Sequence, residues 1–544
     1  MSGALPAPGA AEPFSPEERA RLAPFFTNLD GHVFALTNLP ETVKGALFAR
    51  YSRSAKSLRR LFLDEFADKV APGGDPIGAP TSAAAIARAE RLYDRVFNEY
   101  GDDSVAQLGG AHVACEYASN VLTKLLERGR LMAYLEQSTR YVPYTDTLEG
   151  RWRYHIPTEL EDRGALRARY VRTLDAAFER YAAWIPRMQE YFAARHPRGP
   201  GDSETVHRAA IRAKVLDTLR GMLPAATQSN VGIYGSGQAF EALLLRLRAH
   251  PLQEARACAD AMLRDLRQVI PAFLVRVDQP ERGGLWTDYL ARRRVDTYAA
   301  AREVLGGEQP DTRDEVTLTD FDPDGEVKVA AAILYEASGL ADDQASARAR
   351  RLSPDERARL IRAYAGERVN RRHRPGRAFE RTAYRFDILA DYGAFRDLQR
   401  HRLLTIEWQP LTTRHGFTEP AAIADAGAGD DWQRCLEGAR DLYEALSSAG
   451  LRDVAPYAVS MAYRIRFCMD MNAREAMHVI ELRSAPQGHP SYRRICQRMH
   501  DLIATRAGHR AIAEAMRFAD HSEVELERLG SERALEARRA RQPS

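Results

Sequence analysis

A cationic pattern of fixed spacing occurs twice in this chain, complete in one place and loosened in the other. Arg128-Gly129-Arg130 is followed, after seven residues, by Ser138-Thr139-Arg140-Tyr141. Arg400-His401-Arg402 is followed by Thr412-Thr413-Arg414. Two arginines two apart at a helix end, with a third ten residues on, converge only if the chain turns back between them. A guanidinium is a planar fork that keeps its proton, so such convergence suits an anion and a phosphate above all. Ser138 adds a hydroxyl donor, and Glu136 an acceptor for a ring N–H or a sugar hydroxyl. The alternative is a solvated helix end with snorkelling arginines. Repetition at a fixed offset weighs against it.

The elements that must carry these residues repeat as well. Val113, Cys115 and Tyr117 alternate, and so do Tyr384, Phe386 and Ile388, each triplet reading as a half-buried strand. A helical stretch follows each triplet and ends in the arginine motif. The offset between copies is 271 for the strands and 272 for the arginines, the register of a tandem repeat. Residues 35–50 and 317–335 also begin alike, with a β-rich start, a Pro/Asp turn and a Val-Lys pair opening an amphipathic helix. Long helical patterns are read over 159–195, 203–221 and 238–269, and again over 431–449 and 472–516. Residues 420–430 read as a flexible insertion.

Bulk properties exclude several classes. The 544 residues carry 78 basic and 75 acidic side chains, a balance that leaves no nucleic-acid footprint. The longest apolar run, Val329 to Tyr335, is far short of the ~20 residues of a membrane span. Five scattered cysteines without CxxC spacing suit a reducing cytoplasm. His373, His401 and His415 lack metal-ligand spacing, as do His489, His500 and His509, so no metal site is expected. Gly235-Ser236-Gly237 lacks the third glycine of a dinucleotide fingerprint and reads as a helix entry.

The spacing R-H-R-x7-S-x-R resembles the signature of the flavin-dependent thymidylate synthase (ThyX) family. The first copy matches throughout except for Gly129 in place of the histidine, and extends to the family's E-x-S-x-R-Y as Glu136 to Tyr141. The second copy keeps Arg400-His401-Arg402 but has Pro410 at the serine position, and Thr412-Thr413-Arg414 aligns only with two extra residues. Asn472-Ala473-Arg474-Glu475-Ala476-Met477-His478, followed by Leu482-Arg483, is similar to the family's N-A-R-x-x-M-N…L-R block, with His478 for asparagine. The first copy has Gly235-Ser236-Gly237-Gln238 there, with Leu247-Arg248 after it. Arg220-Gly221-Met222-Leu223-Pro224 is similar to the family's R-x-x-L-P element, where the second copy has Ala455-Pro456. Ser104 stands in a turn similar to the family's G-H-x-S, with Asp102 replacing the histidine.

The resemblance implies an α+β fold of two tandem ThyX-like domains, each a small, mostly antiparallel sheet packed with long helices. The expected boundaries are a disordered tail to residue 28, repeats at 29–275 and 316–520, a connector at 276–315 that accommodates a short helix, and a charged tail at 521–544. It implies FAD as cofactor, with Arg400, His401, Arg402, Asn472, His478 and Ser104 holding it. A dUMP-like nucleotide is expected on Glu136, Ser138, Arg140, Arg220 and Arg128. Arg483 is the expected catalytic residue, its guanidinium promoting ionisation of the uracil; its other reading is an ion pair with Glu481 or another acid. Arg371-Arg372-His373-Arg374 is either a loop approaching the flavin phosphates or solvated. The implied reaction is reductive methylation of dUMP to dTMP with methylenetetrahydrofolate and NADPH, in a cytoplasmic homodimer of tandem chains without nucleic-acid or membrane partners. A flavoenzyme acting on another pyrimidine nucleotide, and a non-catalytic nucleotide-binding protein, remain the other readings. Because each copy keeps what the other lost, the expected pocket is composite, with nucleotide ligands from the first repeat and flavin ligands from the second.

Overall fold

Secondary structure begins and ends where the local chemistry directs it. The computed structural model describes residues 13–31, 34–51, 54, 56–67 and 107–541, without the side chains of Thr42 and Ala49. The chain forms two compact units. The first comprises residues up to Cys115, Leu131–Leu135 and Val231–Gly307; the second comprises Glu116–Arg130, Glu136–Asn230 and Glu308–Ser544. Strands β1 (Gly110–Ser119), β2 (Met132–Glu136) and β5 (Gln228–Ser236) lie in the order β1-β5-β2, and the chain passes from one unit to the other within them.

In the first unit, helices Pro16–Leu22, Glu41–Tyr51 and Leu58–Glu65 bury Leu22, Phe26, Leu47 and Phe62 together. Ser15 and Glu18 form a capping box at the first helix, and Ser57 caps the third. Gly235-Ser236-Gly237 is indeed a helix entry: Ser236 caps Gly237–Arg248. A side chain at Gly237 would lie 2.5 Å from Phe273, so the glycine is needed for close packing.

The second unit holds the hairpin β3 (Thr147–Leu148) and β4 (Arg151–Trp152), and a four-stranded antiparallel sheet. That sheet comprises β6 (Val316–Phe321), β7 (Ala383–Asp391), β8 (Thr405–Trp408) and β9 (Arg464–Asn472) in the order β6-β7-β9-β8. β7 and β9 pair without a slip from Ala383↔Asn472 to Asp391↔Arg464. Tyr384, Phe386 and Ile388 are all buried, as their alternation requires. In the same unit, the 32-residue helix Gly164–Arg195 buries Leu174, Phe178, Tyr181, Trp184, Met188 and Phe192 at helical spacing. Helix Gly429–Ser448 packs against it with Trp432, whose ring leaves no room for a side chain at Gly221, 2.4 Å away.

Four stretches differ from the sequence reading. The pattern over 238–269 is two helices, Gly237–Arg248 and Gln253–Leu266, because Pro251 breaks the ladder and Arg256 takes the freed carbonyls of His250 and Pro251 at 2.8 and 2.6 Å. The pattern over 472–516 is three helices, Ala473–Arg483, Pro490–Thr505 and Arg510–Ala515, parted by turns at Gly488 and Gly508. The connector contains a 21-residue helix, Leu285–Leu305, with no buried residue and a left-handed cap at Gly306. Residues 420–430, read as a flexible insertion, include a short helix, Ala421–Asp425.

Within the second unit the repeats meet through equivalent positions. Tyr392 Oη donates to the Asn120 carbonyl at 2.9 Å, and Gln399 Nε2 to the Glu127 carbonyl at 3.4 Å, each pair separated by 272 residues. Leu223 and Ala225 bond backbone to backbone with Met461 and Val459, around a bridge between Pro224 and Ser460. Such reciprocal contacts are the mark of a two-fold relation, here built into one chain.

Candidate functional site

Two short helices deliver the charges. Helix Asn120–Leu126 starts at Ser119, which caps Leu122 N–H at 2.9 Å, and presents Lys124 and Glu127. Its counterpart Tyr392–Leu398 starts at Asp391, which caps Ala394 N–H at 2.8 Å, and presents Arg396, Asp397, Arg400 and His401. β2 ends on Glu136, placed between them. The Glu136 carboxylate accepts from Arg396 at 2.8 Å, Lys124 at 3.2 Å and Arg400 at 2.5 Å. Burial alone would raise its pKa; Arg396, Lys124 and Arg400 outweigh burial and hold it well below the carboxylate range. Glu136 therefore binds three cations and fixes the positions of Arg396 and Arg400.

A second set of charges comes from both repeats. Arg140 forms a bidentate pair with Asp217, Nε and Nη2 lying 2.8 and 2.5 Å from one oxygen, and its Nη1 donates to the Gln487 carbonyl and to Tyr492 Oη. Ser138 Oγ accepts from Arg140 N–H at 3.3 Å, which shapes the turn. Arg220 is buried with Nη1 3.8 Å from Asp397. Gly393 makes room for it, since a Cβ there would lie 3.0 Å from the Arg220 Nε and Nη2. Arg483 Nη1 lies 3.6 Å from the other Asp397 oxygen. Burial opposes the Asp397 charge, but Arg400, Arg483, Arg220 and Arg140 together lower its pKa. Among the described residues, Arg220 Nη2 and Arg400 Nε are buried without a hydrogen-bond partner. The six cations Lys124, Arg140, Arg220, Arg396, Arg400 and Arg483 face four carboxylates, Glu127, Glu136, Asp217 and Asp397, leaving the named groups two negative charges short. That is the charge of a phosphate monoester.

The late part of the chain builds the adjoining region. Asn472 caps helix Ala473–Arg483 through Glu475 N–H at 2.9 Å. Arg483 Nε donates to His401 Nε2 at 2.9 Å, so the His401 proton sits on Nδ1. Burial first, then Arg483, keeps His401 neutral, well below its ordinary pKa. His478 Nδ1 faces Arg374 Nη2 at 3.3 Å, and burial with Arg374 pushes its pKa down to about 4. Burial pushes Glu475 up to about 7 against the opposing fields of Arg374, Arg474 and Arg402. His401, Glu475 and His478 bring ligand atoms within 4.8 Å of one another, yet both histidines spend a lone pair on an arginine. With this cationic surround, the cluster suits an anionic or carbonyl-bearing group and disfavours a metal dication.

The sequence-derived residues separate accordingly. Glu136, Arg140, Arg220, Arg400, His401 and Arg483 converge, with Ser138, Asn472 and His478 shaping the margins. Arg402 is exposed, its field reaching Glu475 and His401. Arg128 lies on the surface, 3.2 Å from Glu407 and 5.0 Å above the Trp408 ring. Ser104 lies outside the described residues. Glu481 is engaged by Arg368 at 2.5 Å, so the carboxylate facing Arg483 is Asp397. Asp217, Asp397, Arg396, Lys124 and Tyr492 were missed by the motif reading. Only the repeat offset, which matches Lys124 to Arg396, carried a signal for any of them.

Residues 49–272 and 317–507 match the model of the thymidylate synthase complementing protein family. The chain belongs to this family. A UPF0159 protein of Chlamydia muridarum is 38% identical over 95% of the chain and 98% of its own length. A UPF0159 protein of Thermoplasma acidophilum is 29% identical over 90% and 97%. A flavin-dependent thymidylate synthase of Mycobacterium marinum is 28% identical over 28% of the chain and 56% of its own length. Among solved structures, a UMP/dUMP methylase of Streptomyces cacaoi bound with 5-Br dUMP is 19% identical, with a TM-score of 0.31 over 38% of this chain and 99% of that one. The two matched segments carry the tandem ThyX-like architecture expected from the motifs, and membership places the chain with enzymes of the thymidylate synthase kind. No described helix is long and apolar enough to cross a membrane.

Proposed function

We propose that this ThyX-like protein binds a pyrimidine nucleoside monophosphate such as dUMP and methylates it reductively, with FAD, methylenetetrahydrofolate and NADPH. The observation that carries this reading is the largely buried cluster of Arg140, Arg220, Arg400 and Arg483, drawn from both repeats, with an unpartnered guanidinium nitrogen on Arg220. In this reading Arg140 and Arg220 take the phosphate, with Asp217 yielding part of its hold on Arg140. Arg483 stabilises the uracil anion, which makes C5 nucleophilic, and His401 and Asp397 fix its direction. Arg400, Arg402, Asn472, His401 and His478 would hold FAD, the histidines presenting N–H donors and the arginines charge. When bound, FAD supplies the hydride acceptor and donor chemistry. The functional particle is proposed to be a cytoplasmic homodimer of tandem repeats at 29–275 and 316–520, with Ser104 and Arg128 as further ligand positions.

One observation favours a second reading, nucleotide binding without turnover: Arg400, assigned above to FAD, is already paired with Glu136 at 2.5 Å, while Arg220 keeps an unpartnered nitrogen. Purified protein distinguishes them. A yellow flavin spectrum together with dTMP formation from dUMP supports the enzyme. Colourless protein that binds dUMP and forms no dTMP overturns it in favour of the second reading.

A further inference from the structure

We propose a divalent-cation site of zinc type on His500, Asp501 and His521, remote in sequence from the motif residues. The three offer ligand atoms within 4.8 Å of one another. His500 Nδ1 and His521 Nε2 already lie 2.9 Å apart. Two nitrogens on one tetrahedral zinc stand about 3.3 Å apart, so the rings need open only by tenths of an ångström. Two imidazoles and a carboxylate, with a fourth position left for water, are a donor set that suits Zn2+ over Mg2+ or Ca2+.

The support around His500 and His521 separates this trio from a chance surface cluster. His500 Nε2 lies 3.0 Å from the Ala513 carbonyl, which fixes the proton there and leaves the Nδ1 lone pair facing His521. This is the outer hydrogen bond that metal-bound histidines use. The residues flanking His521 are anchored independently. Asp520 N–H donates to Ser484 Oγ at 2.9 Å, Gln497 to the Asp520 carbonyl at 2.9 Å, and Arg493 to the Ser522 carbonyl at 2.9 Å. His521 is thus held opposite His500 without any ion. Without an ion the His500 Nδ1 lone pair accepts from His521 Nε2–H, a neutral donor whose proton can move to its own Nδ1, whereas the lone pairs of His401 and His478 go to arginines, which cannot release theirs.

The site would clamp the start of the C-terminal segment. Beyond His521, Glu527 pairs with Lys214 at 2.5 Å, Arg528 stacks 5.0 Å over the Tyr141 ring, and Arg533 grips Asp202 at 2.5 Å. Tyr141 follows Arg140, so the cation fastens the segment that covers the arginine turn.

The test titrates chelator-treated full-length protein with Zn2+ by calorimetry, and with Co2+ by visible absorption. His521→Gln and Asp501→Asn are the test variants, and His401→Gln controls for the other cluster. His521 and Asp501 are exposed, so neither change disturbs the core. The wild type is expected to bind one equivalent with a tetrahedral Co2+ spectrum. His521→Gln should weaken binding at least 100-fold and abolish the spectrum, while His401→Gln leaves both intact. Proteolysis after residue 521 should slow on adding Zn2+ in the wild type alone. Absence of stoichiometric binding, binding unchanged in His521→Gln, or binding lost only in His401→Gln overturns the site.

Discussion

Glu136 and Glu475 show how two carboxylates of similar burial acquire opposite character from their partners. Glu136 is surrounded by three cations at bonding distance; Glu475 has cations nearby and His401 at 3.6 Å. The lowered pKa of Glu136 means that its stabilisation is complete above the unfolded carboxylate pKa and is lost as the pH falls below it. Glu475 has the opposite sign. With a folded pKa of about 7, the folded state holds a proton that the unfolded state has released, so stability declines as pH rises from about 4.5 to 7. Glu475→Gln is expected to flatten the pH dependence of urea midpoints between pH 5 and 8, and an unchanged slope would refute this. Glu136→Gln leaves buried guanidiniums short of a counter-charge and is expected to cost about 3–5 kcal/mol in chemical denaturation. The motif reading took Glu136 as an acceptor for the nucleotide; a linear pattern does not reveal that Lys124 and Arg396 arrive beside it from opposite repeats.

At the level of elements, the site depends on helix starts and close approaches. Asn472 begins the helix that ends in Arg483, so Asn472→Ala is expected to cost about 1 kcal/mol through the lost cap. Gly393 lets Arg220 cross the start of Tyr392–Leu398; Gly393→Ala should weaken nucleotide binding several-fold, with a smaller change in thermal midpoint. Calorimetric titration alongside a melt would separate the two effects. The second-copy strand was legible because alternation of Tyr384, Phe386 and Ile388 specifies a buried face directly, whereas in the first copy Tyr117 breaks the alternation with a positive φ and an exposed ring. The helices over 238–269 and 472–516 were legible as helical but not as separate pieces. Periodicity continues across Pro251 and Gly488 even though the hydrogen-bond ladder does not.

Over the whole molecule, duplication has placed one contact in two environments. Arg400 reaches Glu136, and Arg128 reaches Glu407, each arginine crossing to the strand of the other repeat. In the first pair the side chains are 30% and 0% exposed, in the second 46% and 68%. Arg400→Ala is therefore expected to destabilise by several kcal/mol, and Arg128→Ala by about 0–1 kcal/mol, in parallel urea melts. The repeat offset made the duplication readable from the sequence. It did not reveal which of the two equivalent places had become the buried one, since that depends on tertiary closure around Asp217 and Asp397. The central claim is that the first repeat grips the nucleotide and the second the flavin. Its most direct test is to titrate dUMP and FAD separately into wild type, Arg140→Gln and Arg402→Gln. The account predicts that Arg140→Gln loses at least tenfold in dUMP affinity (about 1.4 kcal/mol) with FAD unchanged, and that Arg402→Gln weakens FAD with dUMP unchanged. Normal binding of both ligands by both variants would contradict it.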